Sequence, residues 1–140
     1  MATPVQIVVD ANDPLSQARF WASVLGYDVE DNTSLIRGVL DAGHAGPDDV
    51  MEVDGQLYWR DLVAARDPDA GGPRLLFQRN DRPKSDKNRV HLDVNVGPER
   101  RATEVERLER LGAGVLYDID ERGGRHTTMA DPEGNEFCVQ

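Results

Sequence analysis

The sequence predicts an α+β domain built from two copies of one module, each a strand, a helix and about three further strands. Three observations predict it. Val90 to Val96 alternates without a fault, with Val90, Leu92, Val94 and Val96 facing one way and His91, Asp93 and Asn95 the other, the period of a strand with one apolar face. Leu15 to Leu25 and Ala102 to Leu111 carry apolar residues at helical spacing, and Gly26 and Gly112 follow as stops. The two halves also match in register. Setting Val5 on Val90 places Gln6 on His91, and Leu25-Gly26 falls on Leu111-Gly112 with a shift of one residue, so an internal duplication underlies the chain.

The elements follow in order. Val5 to Asp10 reads as a strand, and Asp13 with Pro14 opens a helix, the carboxylate as N-cap and the proline at the first helical position. Tyr27 to Gln56 is the least legible part: Ser34 to Gly43 reads as a helix, with a strand pair as the alternative, and Gly43 to Asp49 as a loop. Val50 to Val53 and Gln56 to Val63 read as strands around the Asp54-Gly55 hairpin signal. Asp67 to Pro73 is a turn, and Leu75 to Arg79 is a strand with Leu76 and Gln78 on one face. In the second half, Gly97-Pro98 opens a helix whose stripe is Ala102, Val105, Leu108 and Leu111. Gly114 to Asp118 and His126 to Ala130 are strands about a Gly123-Gly124 turn. Asp131-Pro-Glu-Gly-Asn135 is a tight turn, and Glu136 to Gln140 closes the chain as a strand. Module 1 is therefore about residues 5–79 and module 2 about 90–140, joined by a linker over 80–89 within one domain spanning 1–140.

Composition narrows the class. Of 140 residues, 39% are hydrophobic and 30% charged, ordinary for a globular chain able to bury a core. No apolar run approaches the roughly 18 residues that span a bilayer. Met-Ala-Thr-Pro leads into the first strand without a basic region or apolar signal core, so no export is expected. The single cysteine, Cys138, cannot form an internal disulfide and fits the cytoplasm. A net charge of −10 argues against nucleic-acid and anionic-membrane partners. The basic stretch Arg79 to Arg89 reads as a solvated linker, with guidance of an anionic ligand as the alternative.

Strand parity gathers the candidate site. Gln6, Val8, Asp10, Leu76, Gln78, His91, Asp93, Asn95, Glu136 and Cys138 share the face opposite each apolar stripe. Asp10, Asn95 and Glu136, near strand ends, read as wetted surface, whereas the duplication makes Gln6, Gln78, His91 and Cys138 a cleft. His91 suits an acid/base role near neutral pH, and Trp59, Tyr58 and His126 are candidates to line the pocket. Cys138 reads as a small buried hydrophobe, with a nucleophile activated by His91 as the alternative.

Asn88 to Val94 (Asn-Arg-Val-His-Leu-Asp-Val), Ala130 to Val139 (Ala-Asp-Pro-Glu-Gly-Asn-Glu-Phe-Cys-Val) and Phe20 to Gly26 (Phe-Trp-Ala-Ser-Val-Leu-Gly) together resemble the vicinal-oxygen-chelate superfamily, and most closely its small bacterial glyoxalase-like branch. That superfamily includes glyoxalase I, extradiol dioxygenases and the bleomycin- and fosfomycin-resistance proteins. The resemblance covers Val5 to Leu25 and Leu75 to Gln140 and leaves Asn32 to Gln56 as an insertion. It implies two βαβββ modules forming a partly open, barrel-like cleft, and by family habit a homodimer. It also implies divalent-metal positions at Gln6, Gln78, His91 and Cys138. Two neutral amides make a poor remainder for a divalent ion, which disfavours a metal and leaves the cofactor unassigned. The expectation is a glyoxalase-like protein binding a small organic molecule in its cleft. Lyase- or isomerase-type proton transfer through His91 is one form of it, and non-catalytic sequestration of a drug or metabolite, as in bleomycin resistance, is the alternative.

Overall fold

A computed structural model describes all of residues 1–140, whose contacts divide into two compact units, Met1–Arg82 and Pro83–Gln140. The first unit opens with β1 (Gln6–Ala11) and α1 (Pro14–Leu25). Asp13 caps α1 by accepting a hydrogen bond from the Ser16 amide at 3.1 Å, and Gly26 ends it in the left-handed region at φ 70°. There follow β2 (Asp28–Val29), α2 (Thr33–Asp41), a 3₁₀ turn (Pro47–Asp49), β3 (Val50–Val53), β4 (Gln56–Trp59), β5 (Leu62–Arg66) and β6 (Arg74–Arg79). One sheet runs in the order β1-β6-β5-β2, with β1 and β6 parallel and the other pairs antiparallel. Leu75 and Phe77 of β6 are fully buried, as are Ala18 and Trp21 of α1, so the helix covers one face. Burial of side chains the size of Leu and Phe stabilises the fold by roughly 1.5–3 kcal/mol each.

Three expectations change in this unit. The two-residue strand β2 carries too little periodicity to be seen in sequence. The expected strand Gln56 to Val63 is broken at Arg60-Asp61 into β4 and β5, which belong to different sheets. β3 and β4 form a separate two-stranded sheet whose turn has Asp54 at φ 52° and Gly55 at φ 79°, the twist-matched geometry the Asp-Gly pair favours. The insertion therefore comprises α2, β3 and β4, residues 33–59. Ile36, fully buried, anchors α2, and the Thr33 hydroxyl accepts a hydrogen bond from the Leu57 amide at 3.0 Å.

The second unit holds β7 (Asp93–Val94), α3 (Pro98–Arg110), β8 (Gly114–Glu121), β9 (Gly124–Ala130) and β10 (Glu136–Val139). Its sheet order, β7-β10-β9-β8, repeats β1-β6-β5-β2, again with the outer first strand parallel to the last. The duplication thus extends to hydrogen-bonding topology. The chain is an α+β protein of two βαβββ modules.

Here the expected seven-residue strand is mostly not a ladder. Only Asp93 and Val94 pair in regular register, flanked by bonds from the Cys138 amide to the Leu92 carbonyl at 3.0 Å and from the Val96 amide to the Gln140 carbonyl at 2.8 Å. Val90 has no ladder partner and is 79% exposed. The alternation survives over the rest, since Leu92, Val94 and Val96 are at least half-buried while His91, Asp93 and Asn95 are exposed.

The expected stripe of α3 is rotated. Ala102 and Leu111 are exposed, and Arg101, Glu104 and Leu108 face inward. Arg101 is tolerated there because its guanidinium donates to Thr127 Oγ1 at 2.5 Å and to Asp118 Oδ1 at 3.2 Å, while the Thr127 hydroxyl donates to the same carboxylate. The β8–β9 turn falls on Arg122-Gly123 (φ 53° and 77°), one residue before the expected Gly123-Gly124, and β8 runs on to Glu121. The Asp131-to-Asn135 turn stands as expected. Asp131 is buried and accepts from the amides of Glu133 and Asn135, each at 2.9 Å, and Gly134 takes φ 90°.

Candidate functional site

Within the second module, α3 covers the face carrying Val94, Thr127, Met129, Phe137 and Val139, all buried. Strand parity sends the alternate residues to the opposite face. Thr128 pairs with Cys138, and Cys138 with Asp93, so three strands bring these side chains into one row. A concavity of about 430 Å³ opens on that face, lined by Tyr117, Ile119, His126 and Thr128 together with His91, Asp93 and Cys138.

Its chemical centre is His91, Asp93 and Cys138. Their donor atoms all lie within 4.8 Å of one another. His91 Nε2 is 3.2 Å from Asp93 Oδ1, with both side chains nearly half exposed. Cys138 is 8% exposed, and its Sγ lies 3.6 Å from Thr128 Oγ1. Burial pushes the Cys138 thiol up; the Thr128 contact opposes this and the Asp93 carboxylate adds to it. A raised thiol works against a nucleophilic role for Cys138.

Glu136 borders the site and is no wetted strand end. It accepts from the Asn88 amide at 3.0 Å and pairs with Lys84 Nζ at 3.0 Å. Burial works to raise its pKa, but the Asn88 amide and Lys84 overcome this and hold it at about 2. The same contacts fasten the basic stretch before β7 to β10. Lys84, expected to be solvated, is in fact half-buried.

The first-module candidates are arranged differently. Gln6 lies opposite Arg74 and Gln78 opposite Asp10. The two glutamines stand four residues apart along this ladder, roughly 13 Å at about 3.3 Å per residue. They cannot share one ion. Gln6 is engaged elsewhere, accepting from Arg74 Nη1 at 2.6 Å in a cluster where Glu30 also binds Arg74 and Arg66. With Gln6 set on His91, Asp93 corresponds to Val8, and the residue paired with Val8 is Leu76. Leu76, not Gln78, is thus the counterpart of Cys138. Val8 and Leu76 give this position an apolar character in module 1. Trp59 sits on β4 opposite Val50, and Tyr58 donates its hydroxyl to Gln56 Oε1 at 2.6 Å, both in the inserted hairpin.

Sequence reasoning missed Tyr117, Ile119 and Thr128 as lining residues. Thr128 was recoverable, being two residues from His126 on one strand face. Tyr117 and Ile119 were not, because a bulge between Val115 and Tyr117 resets the parity of β8.

The fold implies a divalent ion, and the donor set has its own preference among such ions. An imidazole nitrogen, a carboxylate oxygen and a sulfur fit a borderline-soft ion such as zinc and suit a hard, oxygen-seeking ion badly. The three residues fit a metal of the first kind.

Paired βαβββ modules with a polar concavity on a sheet face define a class of small paired-module proteins, the vicinal-oxygen-chelate superfamily. The chain belongs to the glyoxalase-like domain family, which it matches over residues 6–140. Solved structures share the fold at low identity. A glyoxalase/bleomycin resistance protein/dioxygenase family enzyme from Burkholderia phytofirmans PsJN is 13% identical, with 96% of this chain and 94% of that chain covered and a TM-score of 0.64. A variant of the fosfomycin resistance protein FosX from Listeria monocytogenes, complexed with Mn(II) and 1S,2S-dihydroxypropylphosphonic acid, is 10% identical (100% and 90% covered, TM-score 0.64). The bleomycin-binding protein from Streptomyces verticillus, complexed with copper(II)-bleomycin, is 17% identical (100% and 96% covered, TM-score 0.54). No curated protein sequence matches the chain.

Proposed function

We propose that this chain is a small-molecule-binding protein whose ligand seats on the free sheet face of the second module. The observation that carries the reading is the concavity itself, where apolar Ile119 and amphipathic Tyr117 lie beside two imidazoles, a carboxylate and a hydroxyl. Such a lining gives contact area and a few orienting polar groups. The relatives support a small organic ligand, since one is complexed with a phosphonic acid and another with a metal–drug complex. A thermal-shift panel of bleomycin, phosphonic acids and small oxygenated metabolites tests it. A ligand at 100 times its dissociation constant should raise the unfolding midpoint by about 9 °C in the full chain. No shift across the panel would overturn the reading.

One observation favours a second reading, proton-transfer chemistry of the lyase or isomerase kind. Asp93, 3.2 Å from His91 Nε2, orients the imidazole at the rim, where it can take a proton from a bound substrate and return it. Were His91, Asp93 and Cys138 instead to hold a divalent ion, it would supply Lewis-acid polarisation of a ligand oxygen, and the imidazole would be a ligand rather than the base. His91→Ala should then abolish turnover of a bound compound while leaving its binding within a few-fold; full turnover in that variant would remove the acid/base role.

A cytoplasmic homodimer belongs to the same proposal. The single cysteine fits that compartment, and Val115 and Leu116 on edge strand β8 are 44% and 48% exposed, a surface a second copy would cover. Sedimentation that finds only a 15.5 kDa species at micromolar concentration would remove the dimer.

A further inference from the structure

We propose that Lys87 is a specificity-determining residue of the second-module concavity and takes an anionic oxyacid group of the ligand, a carboxylate, phosphonate or phosphate. The inference rests on the small-molecule reading and names the ligand's class. Lys87 lines the concavity, and its ammonium has no carboxylate within ion-pair distance; Nζ donates only to the Asn88 carbonyl, at 3.4 Å. Its backbone is held from both sides. Lys84 Nζ pairs with Glu136 Oε2 at 3.0 Å and donates to the Asp86 carbonyl, and the Asn88 amide donates to the same Glu136 oxygen at 3.0 Å. The Lys84 stem lies beside Gly134 of the Asp131-to-Asn135 turn. The exposed cation is thus anchored to β10 through its flanking residues.

Local charge decides what meets the Lys87 ammonium. Of the acidic side chains lining the concavity, Glu136 already accepts from Lys84 and Asn88, and Asp93 Oδ1 faces His91 Nε2 at 3.2 Å. The third, Glu121, pairs with Gly124, four residues along β9 from Thr128. That places it roughly 13 Å from the Thr128–Cys138–Asp93 row, at about 3.3 Å per residue. Salt at physiological strength screens charges beyond about 8 Å, so neither Glu121 nor the chain's net −10 neutralises Lys87. The Lys87 charge does reach the centre of the site: burial raises the Cys138 thiol, and the ammonium works against that rise. An anion beside Lys87 gains a charge-assisted hydrogen bond while an apolar body lies against Tyr117 and Ile119. A compact, rotatable ammonium imposes no bidentate geometry, so it takes a carboxylate or a phosphonate alike.

The ¹⁵N-labelled full chain is titrated with two matched pairs, phenylphosphonate against diethyl phenylphosphonate and benzoate against benzamide, and dissociation constants are read from the amide shifts. Each anion should bind about tenfold more tightly than its neutral partner, the worth of one hydrogen bond to a charged group. A preference in one pair alone sustains the assignment and selects that oxyacid. Lys87→Met, which keeps the stem without the charge, should erase the preference, and Lys87→Arg should keep it within a few-fold. Arg89→Met removes an exposed cation of the same segment that does not line the concavity, and should leave the preference intact. A preference that survives Lys87→Met, or one lost equally in Arg89→Met, would overturn the assignment. Neutral compounds that bind as tightly as the anions would sink it while leaving the small-molecule reading standing. No shift with any of the four compounds would also overturn it, and the wider thermal-shift panel then decides the small-molecule reading separately.

Discussion

Individual residues in this protein hold their positions through charge networks that differ between the modules. Glu30, in the first, accepts from Arg74 Nη2 at 2.7 Å and from Arg66 Nε at 3.1 Å. The Arg74 hydrogen bond, acting against burial, holds the Glu30 carboxyl below its ordinary 4.5. A carboxylate with a depressed folded-state pKa contributes stability that is complete above its unfolded value. That contribution is lost as pH falls through the folded one. Urea midpoints should therefore drop from about pH 4.5 downward. Glu30→Gln should cost about 1 kcal/mol at pH 7, given the exposure of its partners, and flatten the acid limb. Equal acid limbs in the two proteins would contradict the network's role. Among site residues, His91 and Cys138 were legible from parity and duplication alone. Asp93 was legible as a neighbour but not as a donor, because its approach to Cys138 depends on the parallel register of β7 on β10, which no local pattern encodes.

At the scale of elements, caps and turns were the most legible features because their chemistry is local. Asp13-Pro14, Asp54-Gly55 and Asp131 to Asn135 each form as their residue types dictate. Asp131→Ala removes the acceptor for two backbone amides and the Asn135 side chain at a buried position, and should cost about 2–3 kcal/mol in a urea titration. Helix α3 was legible in extent but not in facing. Hydrophobicity selects Ala102 and Leu111, and only the structure reveals that Arg101 faces inward to meet Asp118 and Thr127. Arg101→Ala should destabilise by about 2–3 kcal/mol, as Asp118 and Thr127 lose their partner and packing is lost with the stem. Arg101→Met, which keeps the stem, should recover part of that loss; equal losses in the two variants would mean that the polar contacts alone matter. Strand β2 and the β4–β5 break were illegible for the opposite reason, being too short for any period to register.

For the molecule as a whole, the duplication explains why the fold could be read from so few signals. Two copies of one module carry the same strand order, with a parallel outer strand in each, around different sets of side chains. The two copies differ on their free sheet faces. Where the second module places Asp93 beside Cys138, the first places Val8 beside Leu76, so polar side chains stand in one module where apolar ones stand in the other. The free sheet face of the second module is the proposed binding site. It is tested most directly by amide spectra of the ¹⁵N-labelled full chain, titrated with the strongest stabiliser from the thermal-shift panel. The largest shifts should fall on His91, Asp93, Tyr117, Thr128 and Cys138. Shifts confined to the inserted hairpin or to the first module, with those five amides unmoved, would contradict it.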